Sequence, residues 1–178
     1  NKEKIMGFLR VIYWWTKRKV DNLVFKDKSQ IYNIYLGKET YEQMIGYCSK
    51  ANPYETGGVL IGSYSYNQTI ADILQITPPP KDSKHSKYNF HRGSSGLKEF
   101  LDTVWNQGLY YLGEWHYHPN ASVVPSHTDL KQMFALSNNN DLKCPEPILI
   151  IIGGNEKDWR ISAGVFSNRR YVCLELVK

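Results

Sequence analysis

The chain has 178 residues, 42% of them hydrophobic and 22% charged, with a formal net charge of +5. That length and balance suit one soluble globular domain with a proper core, and no run approaches the ~18 consecutive apolar residues of a membrane span. Cys48, Cys144 and Cys173 form no Cys-x-x-Cys pattern, which argues against a thiolate metal site and for a reducing, cytoplasmic setting.

The charge is uneven. Residues 1–30 hold eight Lys/Arg against three Asp/Glu, whereas the rest of the chain holds fourteen of each. The division expected is a basic N-terminal arm, residues 1–30, joined to a neutral domain, residues 31–178. Within the arm, IMGFLRVIYWW is interrupted by Arg10 and followed by KRK, so it reads poorly as a signal peptide. An amphipathic segment packing on the domain through Phe8, Leu9, Ile12 and Trp15 is the plainest reading of it. Docking to an acidic partner or nucleic acid, or lying on a membrane surface, are the alternatives. A nucleic-acid-binding module would rest on this arm alone.

After the arm, IYNIYL (31–36) reads as a strand, and KETYEQMIGYCSKA (38–51) as a helix with Tyr41, Met44, Ile45 and Cys48 on one face. Asn52-Pro53 stops that helix. Residues 57–66 and 69–77 form a predicted hairpin around Asn67-Gln68. Residues 78–96 begin with three prolines and continue polar, a long functional loop with a short extended piece at residues 88–90. Residues 95–108 are helical, with Leu97, Phe100, Leu101 and Val104 on one side and Gly108 where a C-terminal cap would stand. Residues 109–118 are a strand and 127–139 a helix. EPILIIIGG (146–154) is apolar at successive positions, the mark of a strand buried on both faces. Residues 158–166 and 170–177 close the chain as a hairpin through Ser167-Asn168. The expected class is α+β, a mixed sheet flanked by helices.

Three of the five histidines fall in GEWHYHPNASVVPSHTDL, residues 113–130. Side chains two apart on a strand share a face, so His116 and His118 point one way, and Trp115 and Tyr117 the other. Asp129 follows His118 after ten residues, ample to bring its carboxylate back to the imidazoles. Two histidines and a carboxylate with a fourth position open form a catalytic rather than a structural zinc arrangement. Ser126-His127-Thr128-Asp129 also fits a helix-capping pattern. Helical geometry turns His127 about 200° from Asp129, and His85 and His91 lack ligand spacing. Cys144, beside Pro145, reads as structural.

His-x-His-Pro followed six residues later by Ser-x-x-Asp resembles the JAB/MPN (JAMM) zinc metalloproteases, which hydrolyse isopeptide bonds to ubiquitin-like proteins. NPYETGGVLIGSY, residues 52–64, matches the family's upstream segment, and the resemblance runs from about Ile31 to about Leu176. It implies the MPN/JAB, cytidine-deaminase-like fold. It implies Zn²⁺ on His116, His118 and Asp129, Glu55 as general base, and Ser126 as donor to the tetrahedral oxyanion. Tyr117 stands where eukaryotic members more often have serine or threonine; by strand alternation it points away from the metal.

Phe90-x-Arg92-Gly93 and Tyr111-Leu-Gly-Glu-Trp-His look closer to bacterial JAB isopeptidases. Some of these are encoded beside ubiquitin-like activating and conjugating enzymes in anti-phage operons, including the CD-NTase-associated type. In the family the modifier's tail lies extended beside the loop before the second helix, which maps here onto residues 78–95, with Tyr88, Phe90 and Arg92 as contacts. Glu114 shares the face of His116. It is either a competing base or ligand, or an outer carboxylate holding His116 or an arginine such as Arg92; the second reading is favoured because the family supplies its base from upstream. A processing peptidase for a ubiquitin-like or sulfur-carrier precursor, and a non-catalytic MPN scaffold, are the alternative functions.

Overall fold

The computed structural model describes residues 22–167 and 169–177. In chain order the elements are β1 (Leu23–Lys26), β2 (Asn33–Leu36), α1 (Lys38–Ala51), β3 (Thr56–Tyr64), β4 (Ile70–Ile76), β5 (Lys84–His85), β6 (Phe90–His91), α2 (Leu97–Asn106), β7 (Tyr110–Pro119), α3 (His127–Ser137), β8 (Ile148–Asn155), β9 (Asp158–Ser167) and β10 (Arg170–Leu176). A single 3₁₀ turn, Asn140–Leu142, follows α3.

Eight strands close into a barrel in the order β1-β10-β9-β8-β7-β3-β4-β2. The β2–β4 and β7–β8 pairs are parallel and the other neighbours antiparallel, so the sheet is mixed as expected. Closure is the departure from an open flanked sheet, and its cause is β1. This short strand pairs with both β2 and β10, with Phe25 fully buried in the barrel core. It lies inside the stretch that charge counting sets apart as an arm, so the barrel takes in residues on both sides of position 30. The packing expected of Phe8, Leu9, Ile12 and Trp15 falls outside the described residues, as does Asn168 of the last hairpin turn.

Strand alternation divides the apolar residues among three clusters. Leu60 on β3, Trp115 and Tyr117 on β7, and Ile148, Ile150 and Ile152 on β8 point inward, where α1 adds Met44 and Cys48. Val59, Ile61 and Tyr111 point outward against Val104 of α2. Leu149 and Ile151 meet Met133 of α3 and Phe166. β8 is therefore apolar at successive positions because the barrel core covers one face and α3 the other.

A bulge sets the phase of β7. Its register against β3 shifts where Leu60 faces Gly113 and Ile61 faces Tyr111, leaving Leu112 as an extra residue. Gly113 has φ +145°, and a Cβ there would stand 1.9 Å from the Ile148 carbonyl oxygen, which only glycine tolerates. Below the bulge, Glu114, His116 and His118 all point out of the barrel on one side.

The 78–96 segment holds a small hairpin. Its extended pieces are β5 and β6, paired Lys84 to His91 and His85 to Phe90. The extended piece expected at residues 88–90 thus overlaps β6 only at Phe90, because residues 86–89 form the turn. Asp82 anchors the far end by accepting hydrogen bonds from the backbone N–H groups of Ser94 and Ser95.

Candidate metal centre

β7 and the start of α3 bring together the three residues that spacing singled out. One ligand atom from each of His116, His118 and Asp129 lies within 4.8 Å of the other two, and all three residues are buried. His116 Nδ1 is 2.9 Å from Asp129 Oδ1, and His118 Nε2 is 3.4 Å from Asp129 Oδ2. A carboxylate between two imidazoles is an arrangement in which protons and a cation compete for the same lone pairs.

The helix start holds the carboxylate in place. Ser126 caps α3: its Oγ accepts from the Asp129 N–H at 3.1 Å, while the Ser126 N–H donates to Asp129 Oδ2 at 2.7 Å. This reciprocal box satisfies two N–H groups of the helix end and fixes the rotamer of Asp129. The His118 ring is fixed too, since its Nδ1–H donates to the Ser122 carbonyl at 3.1 Å and leaves Nε2 for the site. Ser122 was not legible beforehand; a backbone carbonyl carries no side-chain signal.

His116 Nε2 is the atom that tests whether this set fits a metal. It is buried and has no hydrogen-bond partner, a state that carries a penalty of about 1–3 kcal/mol in a purely structural side chain. The donor set of two imidazoles and one carboxylate suits a borderline cation such as zinc, and the orphaned nitrogen fits such a group.

Charge interactions match this crowding. Burial opposes charge on all three groups, yet contacts with Asp129 and Glu114 together outweigh it at His116, whose pKa rises to about 9. His118 moves upward for the same reason. The two imidazoles hold the Asp129 carboxyl far below the usual carboxylate range despite its burial.

Glu55 lies immediately before β3, where Thr56 faces Tyr117 and Gly57 faces His116. Burial raises its pKa, and both histidines and Asp129 are close enough to contribute to the balance. Its backbone is held at both ends by the hairpin: the Glu55 N–H donates to the Ser86 carbonyl at 2.8 Å, and the Glu55 carbonyl accepts from His85 Nδ1 at 2.9 Å. A Cβ on Gly57 would meet Phe90 Cε1 at 2.8 Å and His116 Cδ2 at 3.0 Å, so Gly57 lets β6 approach β7.

Glu114 is fully buried. Arg92 Nε donates to its Oε1 at 2.7 Å, Tyr111 Oη reaches the same oxygen at 3.3 Å, and Gln132 Nε2 reaches Oε2 at 3.4 Å. His116 Nε2 lies 3.7 Å from Oε2. Burial pushes the carboxyl pKa up, but His116 and Arg92 outweigh it and hold it below the ordinary glutamate value. Removing one partner of such a pair costs about 3–5 kcal/mol.

The three residues expected to touch substrate differ among themselves. Tyr88 is exposed, whereas Phe90 is buried with its ring edge-on to His116 at 5.6 Å between centroids. Arg92 is taken up by Glu114, with only 11% of its side chain exposed. Phe90 and Arg92 therefore wall the candidate site, and of the three only Tyr88 is largely exposed. A shallow cleft of about 320 Å³ is lined by Tyr47, Lys50, Tyr54, Thr56, Pro79 and His85, among them both sequence neighbours of Glu55. The larger cavity, about 670 Å³, includes Tyr64, Trp105, Tyr110 and Glu146 and none of the candidate ligands. Size alone therefore does not mark the site; the convergence of donors does.

A family model described as prokaryotic homologs of the JAB domain matches residues 37–162. The chain belongs to this family. It is 40% identical over 151 residues to the CD-NTase/cGAS isopeptidase of Enterobacter hormaechei, covering 84% of each chain. It is 25% identical to a probable metalloprotease of Sinorhizobium fredii, over 82% of this chain and 91% of that one. The solution structure of a Desulfitobacterium hafniense protein superposes with a TM-score of 0.61 at 19% identity, covering 79% of this chain and 88% of the other, a likeness of fold. These relatives support a JAB-type peptidase, and the buried His116–His118–Asp129 group fits the metal site such a peptidase needs. Among the described residues no helix is long and apolar enough to cross a membrane.

Proposed function

We propose that this protein is a zinc-dependent isopeptidase of the JAMM type. Its substrates are conjugates in which the C-terminal residue of a ubiquitin-like modifier, or of a cyclic-nucleotide synthase of the CD-NTase class, is joined to another protein. The setting is the cytoplasm of a bacterium, in anti-phage defence. The observation that carries this reading is the buried meeting of His116, His118 and Asp129 with a nitrogen left unpartnered.

His116, His118 and Asp129 would hold the ion. A divalent cation so held supplies a water with its pKa lowered towards ~7 and polarises a scissile carbonyl. Glu55 accepts the proton released in the attack and delivers it to the departing lysine amine; burial raises its pKa towards the range in which a base and its conjugate acid can both serve. Ser126 uses its lone pair on the Asp129 N–H, which leaves its hydroxyl hydrogen for the tetrahedral oxyanion, a contribution of about 3–4 kcal/mol for donors of this kind. Glu114, tied to Arg92, stays out of proton transfer. Tyr88 and the cleft between Tyr54 and His85 receive the modifier's tail.

The experiment is incubation of the protein with candidate conjugates and with unconjugated precursors, with the cut position read by mass spectrometry. Cleavage after the modifier's last residue in the conjugate supports deconjugation. Cleavage of the precursor alone makes the protein a processing peptidase. Chelation should stop either reaction and Zn²⁺ should restore it.

A further inference from the structure

We propose that Arg92 is a positioning residue that clamps the β5–β6 hairpin onto the metal centre, so that one ion pair sets the spacing between Glu55 and His116. The proposal rests on the reading of Glu55 as the base.

The hairpin touches each half of the chemistry at a different point. Where β5 runs into the turn, Ser86 and His85 hold the backbone N–H and carbonyl of Glu55. On β6, Phe90 packs on His85 at 5.1 Å and on His116 at 5.6 Å between ring centroids. Two residues further, Arg92 reaches the fully buried Glu114, which shares the face of His116. Arg92 also donates from Nη1 to the Gly93 carbonyl at 2.7 Å, which fixes the guanidinium in the plane that Glu114 needs. The hairpin itself is slight. It has two residues in each strand, both residues of β5 are exposed, and β5 and β6 form a sheet of their own apart from the barrel. Two-stranded hairpins of this size are not stable alone in water, so its order must come from contacts to the barrel. Among those described above, only the Arg92–Glu114 contact joins two full charges away from solvent, where it is least screened.

Without Arg92, the hairpin keeps its covalent ends but loses its charged anchor. Glu55 then loses the partners that hold its backbone, while the three candidate ligands, fixed by β7 and the α3 cap, stay in place. Loss of Arg92 should therefore separate metal binding from turnover.

Arg92→Gln and Arg92→Lys in the full chain, each with and without Glu114→Gln, test this. Metal content, kcat and KM on a conjugate, and backbone hydrogen exchange would be measured for each. In Arg92→Gln, zinc stoichiometry should stay at the wild-type value, kcat should fall at least tenfold, and KM should change less than threefold. The Glu55 and Ser86 amides should exchange at least tenfold faster, with β8 and β9 amides unchanged. Arg92→Lys, which keeps the charge, should recover part of kcat and part of the protection. Glu114→Gln should restore protection in the Arg92→Gln background by removing the unpaired charge. Unchanged protection at Glu55 and Ser86 in Arg92→Gln would overturn the clamp, and so would a uniform rise in exchange across the barrel. If the wild-type protein cleaves no conjugate, the isopeptidase reading fails, and the exchange measurements decide the clamp by themselves.

Discussion

The two faces of β7 follow opposite rules. Its inner face is apolar and packed: Trp115 and Tyr117 are fully buried among core side chains, with their polar atoms satisfied by the carbonyls of Thr77 and Gly154. Its outer face is as well buried but polar: Glu114, His116 and His118 lie under the hairpin and α3, and one of their nitrogens, His116 Nε2, makes no hydrogen bond. A hydrophobic core does not need that second set. Burying polar groups on one face while completing the fold with the other separates a face that carries the candidate metal ligands from a face that carries the core.

Substitutions on the two faces should therefore fail in different ways. The largest effect belongs to the outer face. His116→Ala should abolish both metal binding and cleavage, and Glu55→Ala should retain zinc while turnover drops by ~10³-fold or more, about 4 kcal/mol in the barrier. Elemental analysis beside a conjugate-cleavage assay checks both, and a Glu55 variant that cleaves normally would move the base to Glu114. On the inner face, Trp115→Ala should cost about 3–5 kcal/mol of stability, read by denaturant unfolding, with cleavage surviving wherever the fold does. Gly113→Ala strikes both faces, because the bulge phases them; a Cβ against the Ile148 carbonyl at a positive φ should cost about 2–4 kcal/mol. Equal stability of Gly113→Ala and wild type would show that the phase of β7 does not depend on that glycine.

The next effect is set by pH. The His116 pKa is raised from 6.5 to about 9. A proton held more tightly in the folded state stabilises it below pH 6.5, and that contribution is lost as pH rises through about 9. A metal must displace the same proton, so zinc affinity should rise with pH across this window, by up to about tenfold per pH unit for each proton released. Competition with a chelator of known affinity measures it, and a flat profile between pH 6.5 and 9 would contradict the His116–Asp129 contact. The smallest effect is expected at the rim. Tyr88→Phe and Tyr88→Ala should change KM by a few-fold, about 1 kcal/mol or less, and leave kcat and melting temperature as they are.

What could be read in the sequence was what depends on local period. The period of two on β7 separated His116 and His118 from Trp115 and Tyr117, and the Ser126-x-x-Asp129 spacing announced the cap that holds a ligand. Continuous apolar character marked β8 as covered twice. The role expected of Glu55 came only through resemblance, because nothing local links it to residues some sixty positions away. The long-range features were less legible. β1 is four residues, LVFK, set among charges that make its surroundings look like a tail, and its barrel neighbours lie next in sequence on one side and at the far end of the chain on the other. The ring of Phe90 on His116 and the partner of Arg92 depend on how a polar loop folds back, which periodicity does not encode. The bulge at Gly113 hides in an otherwise regular strand pattern.

Closure of the barrel has a consequence for how a protein chain could be received. Each barrel strand has a hydrogen-bonded neighbour on both sides over at least part of its length, so the barrel offers little open edge to an incoming peptide and little risk of sheet-to-sheet aggregation. Among the described residues, the strands with an open side along their whole length are the short pair β5 and β6. A peptide arriving in extended form would find free backbone groups there, on the same few residues that touch Glu55 and His116, and its docking would be felt at once at both.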